Sequence, residues 1–198
     1  GNIYYQIFAG SLLGAALQRR GKFKESRELC RKLLRLAVDN GIEQTGIAGS
    51  LYLNLGTILS EWNELEEGIR LIKKGIQMSE IGRDPVVLAS CQLSLQRSLI
   101  FRMDFAGALK LLDDLNACTN NFALPPWITN TISAINAFCL LGGGNLSAAQ
   151  DWVERRGLTF DGPLEQLREV EYLALAQILI AQNKVDDADR LLQRLIEK

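Results

Sequence analysis

A unit of about forty residues recurs five times along this 198-residue chain, and each recurrence puts small side chains in the same two places. Every unit reads as a helix-like apolar pattern, a short polar turn, one apolar residue, two variable residues and then a small one. The turns are Gly21-Lys22-Phe23, Asn63-Glu64-Leu65, Met103-Asp104-Phe105, Gly144-Asn145-Leu146 and Asn183-Lys184-Val185. Their apolar anchors, Phe23, Leu65, Phe105, Leu146 and Val185, lie 42, 40, 41 and 39 residues apart. Three residues after each anchor comes Ser26, Gly68, Ala108, Ala149 or Ala188. Twelve residues before each of those comes Gly14, Gly56, Gln96, Ala137 or Ala176, and only Gln96 is not small. Two antiparallel helices joined by a tight turn approach closely only where side chains are nearly absent. The paired small positions therefore predict helical hairpins that touch at those points. Leu13, Leu55, Leu95 and Leu175, one residue before the first small position, are expected in the core between the helices, as are Leu17, Leu59, Leu99, Leu140 and Leu179 three residues after it. Asn136 breaks the first series. Cys30, Ile72, Leu112, Val153 and Leu192 recur four residues after the second small position, which gives the i, i+4 stripe of an amphipathic helix.

This spacing, with Tyr52 and Tyr172 four residues before Gly56 and Ala176, resembles the tetratricopeptide pattern. The period exceeds the usual ~34 residues, which adds one to two helical turns or longer connections to each repeat. HEAT repeats share the longer period, but the fixed twelve-residue offset favours the tetratricopeptide arrangement. The expected fold is all-α, a superhelical solenoid of about five antiparallel helix pairs forming one domain over residues 1–198. Repeat boundaries fall at about 5–41, 42–83, 84–124, 125–160 and 161–198. Asp84-Pro85 reads as an N-cap followed by proline, and Pro126 and Pro163 are expected to open helices in the same way. Gly21, Gly41, Gly82 and Gly157 are expected to end helices in the left-handed conformation. Asn116–Leu124 and Gly157–Gly162 read as the longer connections.

Composition excludes more than it selects. The chain is 47% hydrophobic and 23% charged, enough apolar content to bury a core, and its 22 basic and 23 acidic residues give no general attraction to nucleic acid or an anionic membrane. It contains no histidine, which removes histidine bases, histidine-containing triads and histidine metal ligands. Cys30, Cys91, Cys118 and Cys139 form no C-x-x-C pair, so zinc is not expected and all four read as reduced thiols. The start, Gly1-Asn2-Ile3-Tyr4-Tyr5, lacks the pattern of a signal peptide, and the natural amino terminus is expected to lie elsewhere. No stretch reaches the ~18 consecutive apolar residues of a membrane span. The expected location is cytoplasmic, with no cofactor, no metal and no membrane partner.

The sites that chemistry could use are few. Gly142-Gly143-Gly144-Asn145 lacks the lysine and hydroxyl of a phosphate loop and reads as a turn. Adjacent acids such as Glu66-Glu67, Asp113-Asp114 and Asp186-Asp187 diverge around a helix and read as solvated faces. No catalytic residues are expected, and the chain is not read as an enzyme. From Arg19 to Arg35, eight basic residues face only Glu25 and Glu28, and Arg27, Arg31 and Arg35 stack at i, i+4. That stripe is either a solvated outer face or a docking surface for an acidic partner; it lacks the interleaved aromatics of a single-strand-binding groove. In a tetratricopeptide superhelix the first helices line the concave face. Counting from the small positions places Leu53 and Thr57, then Leu93, Arg97 and Phe101, then Ala134 and Phe138, then Leu173 and Gln177 on that face. Of these, Leu53, Thr57, Leu93, Arg97, Phe101, Phe138 and Gln177 are the expected ligand-binding residues. The other reading makes the aromatics repeat-to-repeat core and Arg97 a local salt bridge.

Three stretches resemble a particular family. Leu55-Gly56-Thr57-Ile58-Leu59-Ser60-Glu61-Trp62-Asn63-Glu64-Leu65-Glu66-Glu67-Gly68 resembles a hairpin of the MalT-like, large ATP-binding regulators of the LuxR type. Pro125-Pro126-Trp127 resembles the start of a later repeat there, and Arg168-Glu169-Val170-Glu171-Tyr172-Leu173 through Ala188, with Trp152–Leu158 before it, resembles the following segment. Gln96 and Lys184 depart from that pattern, where a small residue and a glycine are usual. The resemblance implies a bacterial transcriptional activator whose repeat region receives an inducer and relays it to flanking ATP-binding and helix-turn-helix domains. This segment has neither a Walker motif nor a helix-turn-helix, so it is expected to make no direct nucleic acid contact. The alternative is a general scaffold that grips a peptide of a partner protein.

Overall fold

A computed structural model describes residues 2–112, 114–115 and 122–197. Within them the regular structure is helical: α1 (Ile3–Arg19), α2 (Phe23–Asp39), α3 (Gly46–Glu61), α4 (Leu65–Ile81), α5 (Pro85–Phe101), α6 (Phe105–Lys110), α7 (Pro126–Gly142), α8 (Leu146–Arg156), α9 (Glu169–Ala181) and α10 (Val185–Glu197). No strand occurs among the described residues. The chain divides into two compact units, Gly1–Ser98 and Leu99–Lys198.

Helix starts follow the local chemistry. The side chains of Asn2, Thr45, Asp84, Asp104 and Asn145 accept hydrogen bonds from the backbone N–H groups of Tyr4, Ala48, Val87, Gly107 and Ala148, respectively. These bonds satisfy donors that a helix leaves without partners. Pro126 opens α7 as expected. Pro163 does not open a helix: residues 157–168 are irregular, and its carbonyl instead accepts from the Tyr172 hydroxyl at 3.0 Å.

The five hairpin turns share one backbone solution. The residue two before each anchor is left-handed: Gly21 at φ 72°, Asn63 at 63°, Met103 at 61°, Gly144 at 80° and Asn183 at 62°. The next residue then donates back to the carbonyl five positions earlier, as Lys22 does to Leu17 at 2.9 Å, Glu64 to Leu59 at 2.8 Å and Lys184 to Leu179 at 2.9 Å. This is the Schellman closure, which suits glycine and tolerates asparagine. Met103 accepts the same geometry at a cost of about 1 kcal/mol. Gly41 and Gly157 end their helices in the same way, but Gly82 does not. Gly82 stays right-handed at φ −76° and passes the left-handed position to Arg83. It is small for another reason, since a methyl group there would strike the backbone nitrogen of Gly46.

The small positions meet as the repeat requires. A methyl group on Gly56 would lie 2.7 Å from the Gly68 carbonyl oxygen, and one on Gly68 would lie 2.8 Å from the Gly56 carbonyl oxygen. In the first pair the Ser26 hydroxyl donates to the Gly14 carbonyl at 2.8 Å. Ala137 with Ala149 and Ala176 with Ala188 are buried, as is Gln96 despite its size. The first unit packs Ile7, Cys30, Leu33 and Ala37 against Ile47, Leu51 and Leu55. The second packs Trp152, Tyr172, Leu175, Ile178 and Leu191 around its alanines. Leu55, Leu95, Leu175, Leu59 and Leu179 are buried as expected, but Leu13 is 52% exposed. Its spacing matches the others, yet no preceding helix pair stands over α1 among the described residues.

Substituting Gly56 by valine is expected to destabilise the protein by about 3 kcal/mol, because the obstacle is backbone that cannot rotate away. Gly21→Ala, which only forces a left-handed alanine in open space, is expected to cost about 1 kcal/mol. Urea denaturation followed by circular dichroism checks both; equal midpoints would contradict the close helix approach.

Candidate functional site

In the first unit the seam between α3 and α5 carries a row of polar pairs. The Thr57 and Ser94 hydroxyls are 3.0 Å apart, and so are those of Ser60 and Ser98. Beside them an Arg97 guanidinium nitrogen pairs with the Glu61 carboxylate. The row exists because α3 and α5 place a hydroxyl or charge at successive helical turns, and each finds its partner on the facing helix. Arg97 is exposed while Leu53 and Thr57 are half-buried, so this edge offers donors, acceptors and a cation to a ligand. Leu93 does not belong to it. Only 6% of Leu93 is exposed, because that face of α5 turns into the core.

The remaining expected ligand residues lie in the second unit. Phe101 is exposed at the end of α5 and Gln177 is exposed on α9. Phe138 is half-buried on α7 and packs against the core. Ala134, on the same stripe, is wholly buried.

The basic stripe on α2 is not uniform. The Arg27 guanidinium lies 5.0 Å above the Trp62 ring, a cation–π contact that joins α2 to the end of α3. Lys74 stands 5.5 Å over Tyr52 in a similar way. Arg31 and Arg35 are exposed, one turn apart. No ion pair of theirs occurs among the described residues. Arg27 is thus committed to structure, and Arg31 with Arg35 are the part of the stripe open to a partner.

Spacing gave no sign of the most connected charge cluster. In the second unit the wholly buried Glu171 receives Arg156 Nε on one oxygen and Arg168 Nε on the other, both at 2.6 Å. Arg156 also donates to the Asn130 side-chain oxygen at 3.0 Å, and Arg168 donates to Glu165 at 2.7 Å and to the Arg156 carbonyl at 2.9 Å. Asn130 in turn donates to the carbonyl of Leu167, whose own φ is 65°. Burial alone would lower the Arg168 pKa, but the hydrogen bonds and charge of Glu171, then of Glu165, raise it above its ordinary value. The cluster ties the irregular segment before α9 to α7 and α8 and lines an open cleft of about 380 Å³ with Pro126 and Leu167. Its one advance signal is Glu171, an acid between Val170 and Tyr172 near the start of a largely apolar helix. Glu171→Gln is expected to destabilise the fold by ~3 kcal/mol, since removing one partner leaves buried charge without compensation. An unchanged urea midpoint would contradict that role.

Cys30, Cys91 and Cys139 are buried free thiols; Cys118 and Asp113 lie outside the described residues. Burial pushes Cys91 up to about 12 and Cys139 up to about 11, and raises Cys30. A raised thiol pKa keeps the folded form neutral, while unfolded thiols ionise near their ordinary 9.0. Their contribution to stability is therefore full below pH 9 and falls as pH rises from there toward 12. Alkylation at pH 8 followed by mass spectrometry is expected to leave all three unlabelled until denaturant is added. Labelling of Cys91 in the folded protein would refute its enclosure.

No group of three or more metal-ligating side chains is assembled among the described residues, nor is any helix among them long and apolar enough to cross a membrane. The hairpins, with their twelve-residue offset between small positions, define a tetratricopeptide-type helical repeat protein. The family model of the MalT-like TPR region matches residues 2–198, and the chain belongs to that family. Two similar solved structures hold nearly identical TPR-like repeats of a putative kinesin light chain from Podosopora anserina. One, a variant of those repeats, has a TM-score of 0.69 and covers 97% of this chain and 93% of its own. The other has a TM-score of 0.68 and covers 97% and 94%. Both are 15% identical to this chain, so the likeness is one of fold. No curated protein matches it. Repeat domains of this type are generally non-catalytic scaffolds for protein interaction.

Proposed function

We propose that this chain is the signal-receiving repeat region of a bacterial, cytoplasmic LuxR-type transcriptional regulator. In this reading an inducer is held on the first-helix faces, and flanking ATP-binding and helix-turn-helix domains of the parent chain carry the output. The observation that carries it is the family match across residues 2–198. The α3–α5 row supports it chemically: Thr57 and Arg97 offer directional groups beside the apolar Leu53, the mixture usual in ligand sites. Phe101, Phe138 and Gln177 are the corresponding candidates in the second unit. A guanidinium carries several donors in a planar fork, so Arg97 can meet Glu61 and a ligand hydroxyl or carboxylate together.

A second reading, a scaffold for an acidic peptide, is favoured by the exposed Arg31 and Arg35. Thermal-shift screening of a metabolite library against the purified chain separates the two, because a ligand that binds the folded state raises its midpoint. For a metabolite found that way, Arg97→Ala is expected to weaken binding about tenfold. The same change is expected to alter stability by less than about 1 kcal/mol, since the Arg97–Glu61 pair is exposed to solvent. Unchanged affinity by calorimetry would remove Arg97 from the site. A parent gene that encodes no nucleotide-binding domain and no helix-turn-helix would overturn the regulator assignment.

A further inference from the structure

The cleft that α7, α8 and the irregular segment 157–168 enclose carries more cation than the fold uses. Arg155, Arg156 and Arg168 all line it. Two carboxylates answer two of these charges: Arg156 and Arg168 share the buried Glu171, and Arg168 also reaches Glu165. Arg155 is the surplus. It is exposed, and its side chain makes no hydrogen bond or ion pair with any described residue. Arg156 is only partly engaged. Its Nε donates to Glu171 and its Nη2 to Asn130, which leaves Nη1 without a partner among the described residues.

The same cleft displays an apolar residue in a costly conformation. Leu167 is left-handed at φ 65°, and Asn130 of α7 holds its carbonyl at 2.9 Å. That backbone suits glycine and penalises any residue with a Cβ. Burial in the core does not offset the strain, because 53% of Leu167 is exposed. Strained positions of this kind cluster at ligand clamps, where the surrounding structure fixes them. Pro126, the first residue of α7, adds a second apolar surface. Apolar walls with a few directed polar groups, around a volume of about 380 Å³, are the make-up of a small-molecule site.

We propose that this cleft binds a small organic monocarboxylate. Arg155 and Nη1 of Arg156 hold the carboxylate, and Leu167 and Pro126 cover the hydrocarbon part. Guanidinium and carboxylate match in charge and in planar shape. A single surplus cation favours a single negative charge, because a phosphate dianion would bring a second one toward the exposed Glu165. The site belongs to the second unit and does not rest on the regulator reading, whose Arg97 belongs to the first.

Calorimetric titration of the whole chain with hexanoate tests this, at fixed ionic strength and about pH 7, where the carboxylate is ionised. Hexanoate is expected to bind with a Kd of about 1 mM. Hexanamide, which lacks the charge, and acetate, which lacks the chain, are each expected to bind at least ~tenfold more weakly. Arg155→Gln is expected to weaken hexanoate about tenfold without moving the urea midpoint, since that side chain is exposed and pairs with no described residue. Leu167→Gly accepts the left-handed backbone and removes only the apolar wall, so it is expected to bind hexanoate no better than acetate. Saturating hexanoate is expected to slow amide hydrogen exchange within residues 157–168. No binding up to ~100 mM, roughly a hundredfold above the expected Kd, overturns the proposal. So does hexanoate affinity unchanged in either variant, protection confined to residues 1–98, or inorganic phosphate bound as tightly as hexanoate. Probe and variants differ from those that test Arg97, so the two readings fail separately.

Discussion

Backbone against backbone, at Gly56 and Gly68, is the contact on which the rest of the architecture depends. With each carbonyl within reach of the other residue's missing side chain, the helices sit as close as peptide groups allow. Twelve residues separate the members of each such pair because a Schellman turn and the helical residues on either side of it consume that length. Where glycine is replaced, as by Ser26, the substitute hydroxyl bonds the facing carbonyl and the spacing survives. Large apolar residues beside the contact then fill the space that it leaves, as Leu55, next to Gly56, and Ile72, one turn beyond Gly68, do in the second pair.

The two units deal with buried polarity differently. In the first, short side chains on α3 and α5 bond one another across a narrow gap, so Ser60 and Ser98 are satisfied without charge. In the second, an irregular segment precedes α9, and its backbone and side chains are anchored by the Arg156–Glu171–Arg168 cluster. A buried ion pair rarely adds much net stability, since desolvation offsets most of the Coulomb attraction. Its value is geometric: two forked guanidinium groups on one carboxylate define where residues 157–168 must lie.

Hairpins, turns and the family were legible in the sequence because they are encoded within about forty residues. Gly21 and Gly144 announced left-handed turns, and the match of Ala137 to Ala149 announced a pair of buried positions. Met103 did not announce its left-handed backbone, because the demand comes from the turn and not from the side chain. Gly82 misled for the opposite reason: its smallness serves contact with Gly46, and the neighbouring Arg83 takes the strained angle. Of the candidate site, counting from the small positions placed Thr57 and Arg97 on an accessible edge, since the count fixes the face of a helix. It put Leu93 on that face as well, because a count cannot tell how wide the exposed strip is. The Glu171 cluster joins residues 15 positions apart through an irregular segment, and no periodic pattern encodes such a meeting.

The repeated closure of each turn has a kinetic consequence. Every hairpin is held by bonds between residues a few positions apart, such as Lys22 to Leu17 or Lys184 to Leu179. Low sequence separation means that little loop entropy is lost when such contacts form, so chains of this kind collapse quickly and from more than one starting point. Nucleation at α3–α4, where glycine lets two helices meet with least adjustment, would then propagate outward to its neighbours in a one-dimensional, zipper-like fashion.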